Sequence, residues 1–346
     1  MTDSQWDELL QILGGELLDP LPVGFLVDGP WFAALSGMSL LDYLTDSRGW
    51  LEANLEATRR FPDVLWLPGF WAEFGMISNP PSFGAKCIWP EDGFPTCDKV
   101  LRGYEEIDQL PVPDVRTDGL LPLIMQRLKQ NQAAMEHAGH RIRFATSHGP
   151  FTIASYVLGQ SEFLMGMRTV PDAIHELLRR VTKYIVNWLK YQRETFPTID
   201  GVLVLDDLIG FVGEADFREF ALPCMCEAFN ALEVSVRFLH NDAHGLVTAR
   251  FLEAMRVNLF NFSFEHPVNQ IRELAGDRVT LLGNVPPRDI LAFGTCEDTR
   301  AAVADLLASV HDARRLIVSG GGFTPGPFTK EKIQAFCSAV AESATG

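Results

Sequence analysis

The stretch "GVLVLDD", residues 201–207, decides how the rest of the chain is read. It opens with a glycine and an unbroken set of aliphatic residues, the pattern of a strand covered on both faces in a parallel sheet. It then stops on two carboxylates, Asp206 and Asp207. Seven further short, mostly apolar runs follow the same plan: "VGFLVD" (23–28), "DVLWLPG" (63–69), "RIRFATS" (141–147), "SVRFLHND" (235–242), "NLFNFSFE" (258–265), "VTLLGN" (279–284) and "RLIVSGG" (315–321). Helix-like segments separate them, among them 171–195, 215–232, 246–256, 297–310 and 329–343, with Thr169, Thr295 and Thr329 placed as N-caps. Eight strands alternating with helices predict a parallel sheet closed into a (β/α)8 TIM barrel.

One interval does not fit a simple crossover. Residues 70–140 hold "NPPSFGAKCIWPEDGFP", the Pro-rich "LPVPDVRTDGLLP" and a helix around 121–138. The expectation is an insertion after strand two that covers one barrel mouth, within a single domain spanning 1–346. No internal repeat or low-complexity segment is visible.

Composition narrows the function. With 47% hydrophobic residues the chain can bury a large core, and a formal net charge of −16 argues against nucleic acid or an anionic membrane as partner. The opening "MTDSQWDELLQIL" is acidic where a signal peptide is basic, and no apolar run approaches a membrane span, so a cytoplasmic location is expected. The six cysteines are too sparse for a disulfide scaffold, and Cys224 and Cys226 lie two apart in a helical pattern, where they point away from each other.

In a barrel of this kind, chemistry gathers where the strands end at their carboxyl side. Those ends carry Asp28, Ser147 with His148, Asp206 with Asp207, His240 with Asp242, Glu265 with His266, Asn284, and Ser319 before the glycines 320–322. Any one of these acids can be a helix cap instead. His240 and Asp242, two apart on one strand, face the same way, and Glu265 ends the neighbouring strand. Together they form a candidate three-ligand metal site, zinc first, with a position left open for substrate. His148, His266 and Asp206 or Asp207 are the candidates to orient substrate or move its proton. Glu73, Trp71, Phe211, Phe264, Asn284, Gly321 and Gly322 are candidate substrate contacts. The glycine-rich "SGGGFTPGP" reads equally as a phosphate cradle or as a tight turn that lets substrate approach the backbone.

The strings "DGPWFAALSGMSLLDYL", "ATSHGPFTIASYVLGQSEFL", "LDDLIGFVGEADFREFALP", "LLGNVPPRDILAFGT" and "IVSGGGFTPGPFTKEKIQAF" resemble the uroporphyrinogen decarboxylase superfamily, from about residue 20 to 343. The resemblance implies a (β/α)8 barrel and one of two activities, tetrapyrrole decarboxylation or corrinoid-linked methyl transfer. The decarboxylases hold substrate carboxylates with an arginine-rich N-terminal segment, whereas the equivalent "VGFLVDGPWFAALSG" has no arginine. The methyltransferases bind zinc through His-x-Cys and a late Cys, and the related methionine synthases add a Glu. Here His240 matches the His, Asp242 replaces the first Cys, Gly322 the second, and Glu265 falls at about the Glu position. Oxygen ligands in place of thiolates make a harder Lewis acid, suited to an oxygen leaving group. The expected function is therefore metal-assisted methyl transfer between a small substrate, such as a methoxylated aromatic, and a cobalamin-type corrinoid on a partner protein. A metal-free decarboxylase or lyase, and a barrel that binds a tetrapyrrole or small ligand without chemistry, are the alternatives.

Overall fold

The computed structural model describes residues 1–90 and 93–343. One parallel sheet contains β1 (Val23–Leu26), β2 (Val64–Leu67), β3 (Phe144–His148), β4 (Gly201–Leu205), β5 (Val236–Asn241), β6 (Leu259–Phe262), β7 (Thr280–Val285) and β8 (Leu316–Gly320). Each strand overlaps one of the eight apolar runs. The spatial order is β2-β1-β8-β7-β6-β5-β4-β3, so chain neighbours are sheet neighbours except β2 and β3, the two edges of the ladder.

The sheet curls until those edges share a core. Leu26, Leu65, Phe144, Leu203, Phe238, Leu259, Leu282 and Ile317, one from each strand, belong to a single interior cluster. The alternate side chains, among them Phe25, Trp66, Ala145, Val204, Leu239, Phe260, Leu281 and Val318, pack outward into the layer shared with the helices. That two-residue alternation between an inner and an outer core is the arrangement of a barrel. The first helix, Asp3–Gly14, starts at a capping box of Thr2 and Gln5 and sends Trp6, Leu9 and Ile12 into the interior cluster.

Pro171–Thr195 is a helix whose buried residues, from Ile174 through Leu178, Val181 and Ile185 to Leu189, recur at helical spacing. Local punctuation differs from the sequence reading in two places. Thr169 ends the preceding helix and donates its hydroxyl to Met165 O, because Pro171 sets the next helix start at Val170. The segment 246–256 is a 3-10 turn over Thr248–Phe251, closed by Arg256 at φ 60°. Thr295 does cap its helix, with Asp298 completing a capping box.

The long interval after β2 contains 3-10 turns at Pro80–Phe83 and Tyr104–Gln109, an antiparallel pair Cys87–Ile88 with Thr96–Cys97, and the helix Leu121–His137. Within the quoted "CIWPEDGFP", positions 91–92 lie outside the described residues. Among the described residues no helix is long and apolar enough to cross a membrane.

Candidate active site

Strand alternation sorts the acids at the strand ends. On β4, Leu203 and Leu205 face the interior, so two residues on Asp207 continues the inward face and Asp206 points outward. Asp206 is fully buried, and its carboxylate accepts Phe151 N–H at 2.8 Å, Thr152 N–H at 3.2 Å and the Thr152 hydroxyl at 2.9 Å. It thus caps the first turn of helix Pro150–Leu158 from another strand. Burial pushes its carboxyl up to about 7 despite those donors. The catalytic role expected for Asp206 gives way to an anchoring one, and Asp207 is the carboxylate at the mouth.

On β5 the same inward face carries Phe238, His240 and, just beyond the strand, Asp242. His240 is 1% exposed. Its Nδ1 lies 2.8 Å from Asn261 Oδ1, and Asn261 spends its amide donors on Leu282 O at 2.8 Å and Gly320 O at 3.2 Å. The Asn261 oxygen must therefore accept, which places a proton on Nδ1 and makes Nε2 the nitrogen presented to the mouth. Nε2 is buried without a hydrogen-bond partner and lies 3.6 Å from Asp207 Oδ1. Phe323 packs edge-on to the ring at 4.6 Å, which holds its plane.

Asp207, His240 and Asp242 each offer a ligand atom within 4.8 Å of the others. A fixed imidazole plus two carboxylates is a donor set whose charge matches a divalent ion and which leaves coordination positions open. The Nδ1 hydrogen bond is the outer contact that metal-bound histidines ordinarily make. The residues present fit a hard divalent ion. Gly322, at φ +144°, faces this group: a Cβ there would come 2.6 Å from Asp242 Oδ2. The carboxylate at 242 therefore occupies space that a side chain at 322 would take.

The structure does not bring Glu265 to this group. β6 ends at Phe262, and the turn that follows carries Glu265 to the surface, where Oε2 meets His244 Nδ1 at 2.6 Å. The ligand set expected from sequence is corrected accordingly, with Asp207 in the place given to Glu265. His266 is turned to the same surface by a 2.6 Å contact between Nε2 and His244 O. Asn284 braces that turn, donating to His266 O at 2.6 Å. Phe211 and Phe264 are 65% and 40% exposed and do not line the cavity described next. Gly321 approaches the backbone of Phe264, where a Cβ would come 2.5 Å from its nitrogen. The glycine run is thus a close-packing turn that delivers Phe323.

A cavity of about 330 Å³ opens at this mouth. Its lining includes His148, Asp207 and His240 from three strand ends, Asp28 after β1, and Trp71, Glu73, Met76 and Phe94 from the long interval. His148 and His240 are both in register with Leu205, one on each side of it. His148 repeats the arrangement of His240: Nδ1 meets Asn79 Oδ1 at 2.9 Å while Asn79 donates to the Tyr184 hydroxyl at 3.2 Å. Burial, with His240 nearby, holds the His148 ring down to about 4, so it is neutral at pH 7. Asn79, Asn261, Met76 and Phe94 are among the residues at this site that the sequence reading did not select, and Asp28 was read there only as a strand end without a role. Asp28 alone carried a usable signal, since it lies two beyond the inward Leu26.

A curled eight-stranded parallel sheet with an imidazole and carboxylate cavity at the carboxyl ends of its strands defines a barrel-type enzyme fold. The chain belongs to the uroporphyrinogen decarboxylase (URO-D) family, whose model matches residues 4–343. Among curated relatives, uroporphyrinogen decarboxylase of Aromatoleum aromaticum is 26% identical over 63% of this chain and 62% of its own length. That of Xanthomonas axonopodis pv. citri is 25% identical over 88% and 87%. The first of these matches thus spans less than two thirds of the relative. Among solved structures, a methyltransferase from Methanosarcina mazei superposes with a TM-score of 0.81 at 17% identity, covering 98% of both chains. A B12-independent methionine synthase from Shewanella sp. W3-18-1 reaches 0.54 at 11% identity over 94% and 97%. Both structural likenesses are of fold.

Proposed function

We propose that this protein is a cytoplasmic methyltransferase that moves a methyl group between a small substrate, of which a methoxylated aromatic is the example, and a corrinoid carried by a partner protein. The observation that carries the reading is the free, buried Nε2 of His240 set against Asp207 and Asp242 at the cavity. These three would hold a divalent ion, zinc first, which when bound would supply Lewis acidity to a substrate oxygen. Asn261 keeps His240 turned so that Nε2 faces the mouth. His148, neutral and buried, offers Nε2 as an acceptor for a substrate hydroxyl. Trp71 and Phe323, stacked at 6.4 Å, form an apolar wall against which a ring can lie. The chain acts as one domain, and the interval after β2 serves as an insertion that covers the mouth and excludes water, as its contributions to the cavity lining support.

The curated relatives' names favour a second reading, decarboxylation of a carboxylated tetrapyrrole. The lining speaks against it, since the described residues around the cavity include no arginine or lysine to hold carboxylates. Two measurements test the proposal. Mass spectrometry of protein purified without chelator should find about one divalent ion per chain, lost in His240→Ala. Incubation with a methoxylated aromatic and cob(I)alamin should form methylcobalamin. A full equivalent of metal in His240→Ala, or decarboxylation of uroporphyrinogen in place of methyl transfer, overturns it.

A further inference from the structure

The antiparallel pair Cys87–Ile88 with Thr96–Cys97 is a small sheet of its own, outside the barrel ladder. Cys87 and Cys97 stand directly opposite each other on it. Asp98 N–H donates to Lys86 O at 3.0 Å, so the ladder bond falls on that outer pair and the cysteines form a non-hydrogen-bonded pair. Residues placed in this way have Cα atoms about 4.5 Å apart and side chains on one face of the ladder. Both cysteine side chains accordingly pack against the same core. A disulfide spans Cα separations of about 4.4–6.8 Å, so joining them needs no large backbone movement. Both thiols are free and half-buried, and the other four cysteines sit on helices.

This thiol pair belongs to the wall of the cavity. Between Cys87 and Cys97 the chain carries Trp89, edge-on to Phe74 at 6.1 Å, and Phe94, which lines the cavity. Phe94 lies close over Gly75, where a Cβ would come 2.8 Å from its ring. Beyond Cys97 the chain is fastened to helix Pro150–Leu158, since Val100 N–H and Leu101 N–H both donate to Val157 O at 2.9 Å. We propose that Cys87 and Cys97 are a redox modification site, which a small-molecule disulfide of the glutathione type converts to a cross-strand disulfide that fixes the Phe94 wall of the cavity. The Cys87 thiolate attacks one sulfur of oxidised glutathione, whose S–S bond breaks and releases one glutathione thiolate. The Cys97 thiolate then attacks the Cys87 sulfur and expels the second. The chain gives up two electrons and two protons, and the small disulfide is reduced to two thiols. Burial pushes both thiols up, Cys97 to about 11, so the exchange is slow near neutral pH and quickens as pH rises. In a reducing compartment the pair rests as thiols and closes when the disulfide fraction rises. The site goes beyond the methyl-transfer reading and does not depend on it.

Trypsin cuts after Lys86 and Lys99, so both cysteines fall in one peptide, "CIWPEDGFPTCDK" (87–99). The full chain is equilibrated with oxidised glutathione, alkylated and digested. The peptide should carry no alkyl group and be two hydrogens lighter, and after dithiothreitol it should carry two alkyl groups. Bridging should run about tenfold faster at about pH 8 than at about pH 7, following the thiolate fraction. Cys97→Ser should stop at a glutathione adduct on Cys87, which shows that the second thiol is the one that resolves the first. Amide hydrogen exchange across residues 87–97 should slow by about tenfold in the bridged chain. Two alkylated cysteines after oxidation, glutathione retained on Cys87 of the unaltered chain, a bridge from either residue to a helix cysteine, or equal exchange in the two forms overturns the proposal.

Discussion

Replacing Asp206 by alanine separates an anchoring acid from a catalytic one. The side chain is fully buried and accepts three hydrogen bonds, two from the first-turn amides of Phe151 and Thr152 and one from the Thr152 hydroxyl. At about 1 kcal/mol net for each buried bond, the loss is about 3 kcal/mol, and the stranded amides keep the cost from being smaller. With a urea m-value of about 3 kcal/mol per molar, the unfolding midpoint should fall by about 1 M with m unchanged. The metal content of the folded variant should stay at the wild-type level, because the Asp206 carboxylate faces away from His240. Urea unfolding followed by tryptophan fluorescence, beside metal analysis of the same preparation, provides the assay. An unchanged midpoint together with lost metal or lost methyl transfer would refute the anchoring assignment and return Asp206 to the mouth.

Glu265→Ala should retain bound metal, whereas Asp242→Ala should lose it; metal depleted by Glu265→Ala would restore the ligand set expected from sequence. Asn261→Leu, which frees the Nδ1 of His240, should weaken metal affinity by about 10–100-fold in a chelator competition, and unaltered affinity would contradict the tautomer argument. His140 is buried against Phe70, and burial holds its ring down to about 4, below the ordinary 6.5. A base depressed in the folded state contributes stability that is present above pH 6.5 and lost as pH falls toward 4. After solvent screening that is at most about 2 kcal/mol, so His140→Leu should flatten the acid limb of the stability profile, and superimposable limbs would exclude His140 as a source.

Much of this protein is written locally. The eight strands follow from eight short, mostly apolar runs, because strands covered on both faces carry few polar residues. His240 and Asp242 could be paired from the two-residue repeat alone. The identity of the third carboxylate depended on the three-dimensional fold. Glu265 and Asp207 both end strands next to β5, and nothing in their neighbourhoods ranks them. The choice was made by where β6 stops, at Phe262, so that its last turn swings Glu265 to His244, and by the inward phase that Leu203 and Leu205 impose on Asp207. Asp206 and Asp207 are adjacent in the chain yet opposite in fate, since one residue on a strand is a half-turn between the cavity and the helix layer. The fixing of the histidine tautomers by Asn79 and Asn261 is likewise tertiary. Hydrogen bonds across 69 and 21 residues leave no trace in local pattern, because an asparagine inside a strand or turn reads only as a polar interruption until its partners are known.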